Sequence, residues 1–326
     1  MPTFKDRLIE SYLDLYGSPE AKIRHEYSFA YLKKMAFKEN DIFIIQTKIN
    51  GQKERIGWIF PAIALGSREH NRWKCPHFSV YAKVGGAIIC ESPHAELDEN
   101  THIMIVKDSR IIEGEIYIEN LMAPLMRYGY YSFKGEPSFQ NKLCAINNAE
   151  TDKITINKSP GVSEYVPYIR KLILELLPKI TDPLSRFLSI YQAYELLMEK
   201  YFHLKINEHR QKRSTIGTIR EQVAELSSER KLMNGVFHHC GIRAQLNDDE
   251  RNLAKSLFGQ DKDDSYYTKL DLQGLIYDIR NAIVHNYHKY ELSSLMLDIS
   301  ERMELIFIEV LENPKSSLLL TEEHTH

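Results

Sequence analysis

The sequence predicts an α+β protein: an antiparallel, β-rich domain over residues 1–150, followed by an all-α helical bundle over 166–312. Three observations lead there. The apolar period changes from strand-like to helical near Tyr165. Two pairs of apolar runs in the first half are joined by Asn50-Gly51 and by Gly85-Gly86, dipeptides suited to hairpin turns. The 326-residue length suits two domains. The polar stretch 151–165 carries Pro160-Gly161 and reads as a linker, and 313–326 reads as a polar tail.

In order along the chain, Lys5 to Leu15 predicts a short helix, with room for a second before the strands begin. Ile42 to Ile49 and Ile56 to Phe60 form the first expected hairpin; Phe78 to Val84 and Ala87 to Cys90 form the second. Ile103–Val106 and Ile112–Ile118 add two strands, in a sheet or small barrel whose topology is not readable. Beyond Tyr165, Ile169, Leu172 and Leu176, then Phe187 through Tyr201, recur at helical spacing. Asp182-Pro183 marks a helix start, Asp as N-cap and Pro at the first helical position. Further helices are expected over Ile219–His238, Asp248–Phe258, Asp271–His285 and Glu291–Glu312.

Hydrophobic residues make up 43% of the chain and charged residues 27%, enough for either half to bury a core. The net charge of −3 argues against a protein that coats nucleic acid nonspecifically, so nucleic-acid binding needs a local basic patch. No run approaches the roughly 20 apolar residues of a membrane span, and the start lacks a signal-peptide core. Four scattered cysteines, Cys75, Cys90, Cys144 and Cys240, do not read as a disulfide framework, so a cytoplasmic setting without membrane partners is expected. Cys75, His77, Cys90 and His94 match no standard zinc spacing, and no metal site is expected. His238-His239-Cys240 reads as structural. Neither a glycine-rich phosphate loop nor a Gly-x-Ser-x-Gly elbow is present, which leaves an ATPase or serine hydrolase unsupported.

The helix expected over Asp271–His285 carries the chemistry. Leu272, Leu275, Ile276, Ile279 and Ile283 form one apolar stripe that must face a core. Asp278, Asn281 and His285 fall together on the opposite side, with Tyr277 and Val284 beside them and Arg280 at the flank. Arg-x4-His alone is cheap: this composition should produce it about once by chance, and Arg72 with His77 is a second match. Here it sits in a helical C-terminal half, with Asn directly after Arg and Tyr two after His.

Arg280-Asn281-Ala282-Ile283-Val284-His285-Asn286-Tyr287 resembles the signature of the HEPN superfamily of helical ribonucleases. The His-x-Tyr extension looks like that of HEPN toxins paired with nucleotidyltransferase antitoxins. Phe187 to Phe202, with Tyr191-Gln192-Ala193-Tyr194-Glu195, is similar to an early helix of Apea-like defence members. The resemblance covers about Tyr165 to Glu312, and departs from a minimal four-helix unit in the long stretch between Lys205 and Lys269.

The resemblance implies metal-independent RNA cleavage by the 2′-hydroxyl, with no cofactor and with 2′,3′-cyclic phosphate products. The residue types permit it. An imidazole such as His285 moves protons near neutral pH. The planar, permanently charged fork of Arg280 matches phosphate oxygens. Asn281 can orient the imidazole or the phosphate, and Asp278, Tyr287, His288 and Glu195 stand as supporting positions. A basic stretch with Lys205, Arg210, Lys212 and Arg213 reads as an RNA guide or, equally, as a solvated loop.

One imidazole cannot easily act as acid and base at once, so a homodimer or a larger even assembly is expected, as the resemblance also implies. RNA and a second copy are therefore the expected partners, with a phage-derived trigger or an inhibitory protein acting through residues 1–150. The rival readings are a non-catalytic HEPN module that binds nucleotides or protein, and a toxin controlled by modification of Tyr287.

Overall fold

The computed structural model describes residues 2–18, 27–34, 37–38, 41–49, 52–67, 78–92, 96–107, 118–132, 153–157, 159, 164–212, 215–226, 228–243, 245–259, 262–286 and 292–321. The chain divides into two compact units: Met1–Ser163 with Ile173–Lys179, and Glu164–Leu172 with Ile180–His326. It is mixed α+β, with the sheet in the first unit and a mostly helical second unit.

The first unit opens with helix α1 (Phe4–Tyr16), capped by Thr3, whose hydroxyl accepts from the Asp6 amide while the Asp6 carboxylate accepts from the Thr3 amide. Strands β1 (Tyr27–Lys33), β2 (Phe43–Ile49), β3 (Gln52–Pro61), β4 (Thr101–Lys107), β5 (Tyr131–Ser132) and β6 (Lys153–Ile156) form one six-stranded sheet, ordered β5-β1-β4-β3-β2-β6. Neighbouring pairs run antiparallel except β2 with β6, which is parallel. The expected hairpin of β2 and β3 is present, with Ile49 opposite Gln52; Asn50 and Gly51 themselves lie outside the described residues. A shift of register between Ile45 and Gln46 leaves Ile56 as the extra residue of a bulge. Beside it, Gly57 cannot be replaced without strain, because a Cβ there would meet the Ile105 carbonyl oxygen at 2.1 Å.

The second expected hairpin does not exist. Phe78–Glu91 is a single helix, α2, with Gly85 and Gly86 in its interior. The two glycines serve close packing rather than a turn: a Cβ on Gly86 would meet the Tyr12 ring of α1 at 2.0 Å, and one on Gly85 would meet Phe60 of β3 at 3.0 Å. Nor is the sheet one-sided or a barrel. Trp58, Phe60, Ile103 and Ile105 point to one face and pack with Leu8 and Tyr12 of α1 and Val84 and Ile88 of α2. Ile56, Ile59, Met104 and Val106 point to the other and pack with Leu121 and Leu125 of α3 (Glu119–Leu125). Both faces are covered, which is why Ile103–Val106 reads as an unbroken apolar run.

The stretch 151–165, read as a linker, contains β6, where Ile154 and Ile156 are buried. The strand expected over Ile112–Ile118 lies outside the described residues up to 117, and Ile118 is the N-cap position of α3.

The second unit begins with α4 (Pro167–Lys171) and the long helix α5 (Pro183–Gln211). Asp182 caps α5 by accepting from the Ser185 amide at 2.8 Å. The helix expected over Ile219–His238 is two helices, α6 (Ile216–Glu225) and α7 (Glu229–Cys240), with Ser228 at the N-cap position of α7. α8 (Asp248–Phe258) starts at a reciprocal capping box of Asn247 and Glu250. A short α9 (Asp264–Lys269) precedes α10 (Leu272–Asn286), and α11 (Leu292–Glu312) follows.

α5 packs against α11 and α7; its Phe187, Tyr194 and Leu197 are buried, and the Tyr194 ring meets Phe237 of α7 and Phe307 of α11. Arg186 and Glu304 form a fully buried ion pair between α5 and α11, with Arg186 Nε donating to Glu304 Oε2 at 2.7 Å. The expected polar tail departs from expectation between Pro314 and Thr321. It turns into α12 (Ser317–Leu320), buries Leu319 and Leu320, and is held by the Val166 amide on the Leu320 carbonyl and by Lys200 on the Thr321 carbonyl. Among the described residues no helix is long and apolar enough to cross a membrane.

Candidate active site on helix α10

The apolar stripe of α10 faces inward as its spacing demands: Leu272, Leu275, Ile276, Ile279 and Ile283 are buried. Asp271 caps the helix by accepting from the Gly274 amide at 2.7 Å. His285 is exposed, Val284 beside it is 51% exposed, and Asp278, Tyr277, Arg280 and Asn281 are half-buried.

Arg280 is the best-defined member of the site. Its Nη1 donates to Asn281 Oδ1 at 3.1 Å, and its Nε lies 3.9 Å from Glu229 Oε1. Its guanidinium carbon sits 5.8 Å from the centre of the Tyr191 ring. The Tyr191 hydroxyl in turn donates to Glu229 Oε1. Three helices therefore meet here: α5 supplies Tyr191, α7 supplies Glu229 from its first turn, and α10 supplies Arg280 and Asn281. Burial, and then the bond to Glu229, push the Tyr191 hydroxyl well above its ordinary range, so it stays protonated and holds the carboxylate beside the Arg280 Nε. At 3.9 Å the carboxylate compensates the charge without occupying the guanidinium fork. An arginine has five N–H donors, and among the described residues only the Nη1 bond to Asn281 is made. A side chain 23% exposed with donors to spare can take a phosphate oxygen.

Asn281 orients the arginine, a role other than the two open to it from sequence, orienting the imidazole or the phosphate. Asp278 is turned to α9, where it accepts from the Tyr266 hydroxyl at 2.7 Å, and so braces the helix rather than the imidazole. Glu195 is exposed on α5, one turn after Tyr191, and its charge raises the Tyr191 pKa. Tyr287 and His288 lie outside the described residues.

The basic stretch of α5 is not brought to Arg280 within one chain. Lys205 is paired with Glu208 at 2.9 Å. At 1.5 Å per residue it lies about 21 Å along α5 from Tyr191, and Arg210 about 28 Å. Arg210 and Lys212 are exposed, and Arg213 lies outside the described residues. Glu229 and Arg230 were not singled out from sequence: a charged pair opening a helix is ordinary, and only packing of α7 on α10 brings them to the site.

Of the residues weighed for zinc, Cys75, His77 and His94 lie outside the described residues and Cys90 is half-buried. Among the described residues no three His, Cys, Asp or Glu side chains are grouped to hold a metal ion. No family model, curated protein or solved structure matches this chain.

Proposed function

We propose that the chain is a metal-independent endoribonuclease of the HEPN type, acting in the cytoplasm as a defence or toxin effector restrained by the sheet unit. The observation that carries the reading is the arginine itself. Arg280 is clamped by Asn281, Glu229 and Tyr191 yet keeps free donors, and the exposed His285 lies five residues on, about 7.5 Å along the same helix. Arg280 stabilises charge on the phosphorus as the 2′-oxygen attacks and the 5′-oxygen leaves. His285 carries the proton at one of those oxygens, and the His285 of a second copy serves the other. DNA lacks the attacking hydroxyl and is inert.

The rival reading, a non-catalytic HEPN module, draws on the exposed Val284 beside His285, which suits a protein contact as well as a nuclease dimer. Cleavage of a 5′-labelled RNA by the intact chain and by His285→Ala, with mass spectrometry of the ends, tests both. Loss of 2′,3′-cyclic phosphate product in the variant supports the nuclease; equal, absent cleavage in both leaves the binding module.

A further inference from the structure

A second arginine stands on the outer face of α10. Gly274, Asp278, Asn281 and His285 are spaced by four, three and four residues, so they line one side of the helix. Gly274 leaves a notch in that line, and the Arg230 side chain of α7 occupies it: a Cβ at 274 would meet Arg230 Nη2 at 2.4 Å and Asp271 Oδ1 at 2.7 Å. Arg230 thus lies on the His285 side of α10, with Gly274 about 10 Å along the axis from Asn281.

Its setting repeats that of Arg280. A carboxylate oxygen, Asp271 Oδ1, stands 3.9 Å from Arg230 Nη2, too far for a hydrogen bond, so the fork is compensated but not filled. The side chain is 47% exposed. On the Arg230 side stands the half-buried Tyr266, tied to Asp278, close enough to feel the Arg230 charge, with Lys262 Nζ 5.0 Å from its ring centre. The three acids named beside the arginines are each hydrogen-bonded: Glu229 by Tyr191, Asp278 by Tyr266, Asp271 by the Gly274 amide.

We infer that Arg230 is a second phosphate-binding residue beside α10, holding the backbone of a single-stranded nucleic acid a few nucleotides from the phosphate at Arg280. This rests on the ribonuclease reading for the identity of the strand, and it assigns the strand a path, from His285 towards the N-terminus of α10. Phosphate contact carries no sequence information, so Arg230 fixes register rather than sequence.

The test is fluorescence anisotropy of the full-length protein with a fluorescein-labelled single-stranded DNA, which has the phosphates but not the 2′-hydroxyl, over a salt series. The same series is run with RNA in the His285→Ala protein. Arg230→Ala should weaken both about tenfold, and the slope of log K against log salt should fall by about 0.7, the contribution of one phosphate contact on a single strand. Arg230→Lys should retain the slope. Gly274→Ala, which displaces the guanidinium without changing any charge, should weaken binding in the same direction while the thermal melt stays cooperative. Unchanged affinity and slope in Arg230→Ala, or no strand binding by the intact chain, overturns the assignment. Strand binding that depends on Arg230 in a chain that never cleaves RNA removes the nuclease reading and leaves this one standing.

Discussion

Replacing Arg280 by alanine separates chemistry from stability, and the structure sets the size of each effect. Among the described residues the guanidinium makes one hydrogen bond, to Asn281, and faces Glu229 at 3.9 Å, with the two side chains 23% and 30% exposed. A partly exposed pair of that kind, screened by solvent, is worth about 0–1 kcal/mol. The contact with the Tyr191 ring adds about 0.5–1 kcal/mol. Glu229 keeps its bond from Tyr191 in the variant, so no carboxylate is left buried and unpartnered. The expected loss is therefore about 0.5–2 kcal/mol, or a fall in melting temperature of about 1–8 °C for a unit of this size. The catalytic loss should be much larger: removing a preorganised donor at a developing charge costs about 2.7–4 kcal/mol, a factor of 10²–10³ in rate. Lysine should recover only part of it, because an ammonium cannot present a planar fork. Single-turnover cleavage of labelled RNA beside a thermal melt reads both quantities. Ile279→Ala is the control: it empties a side chain only 3% exposed and should cost about 2–5 kcal/mol, with little change in the rate of the folded fraction. An Arg280→Ala protein that cleaves within threefold of the parent, or one that unfolds while Ile279→Ala is tolerated, would refute the reasoning.

Three further expectations concern the metal dependence, the assembly and the sheet unit. Cleavage should survive EDTA, because the proton transfers and charge stabilisation assigned to His285 and Arg280 need no divalent ion; activity lost to EDTA and restored by Mg²⁺ or Mn²⁺ would move the chemistry to metal ions. Val284→Glu, at an exposed position with no chemical role, should split the proposed dimer in light scattering and abolish cleavage together; a fully active monomer would remove the paired-site mechanism. In the sheet unit, burial holds the His102 imidazole at a pKa of about 3, against an ordinary 6.5. Its folded-state value is depressed, so the stability it contributes is present above pH 6.5 and lost as pH falls from 6.5 towards 3, by up to about 1.4 kcal/mol per pH unit. Urea titrations at pH 7 and pH 5 should show that slope, and His102→Phe should flatten it; equal slopes in both proteins would show that other groups carry the acid sensitivity.

Local signals identified the helices of the second unit better than the sheet of the first. Asp182-Pro183 marked the start of α5, and the α8 helix runs over Asp248–Phe258 as its pattern demands. Gly85-Gly86 misled because the same dipeptide that permits a hairpin turn also removes the two side chains that would keep Tyr12 and Phe60 from α2. The split between α6 and α7 was missed because apolar spacing continues across the break at 226–228. β1 carries no clear strand signature, and β6 reads as a linker because four residues bounded by polar ones give too short an alternation to recognise.

The sequence by itself determined which side of α10 is buried and which residues it offers outward, since a 100° step and five apolar side chains suffice to orient one helix. It carried the Arg280 to His285 spacing for the same reason. Only the tertiary structure decided that Tyr191 and Glu229 hold Arg280, that Asp278 turns to Tyr266, that Arg230 lies across Gly274, and that Arg186 meets Glu304 118 positions away. Those contacts join residues on different helices, and they follow from how whole apolar faces pack together, which no local window of sequence encodes.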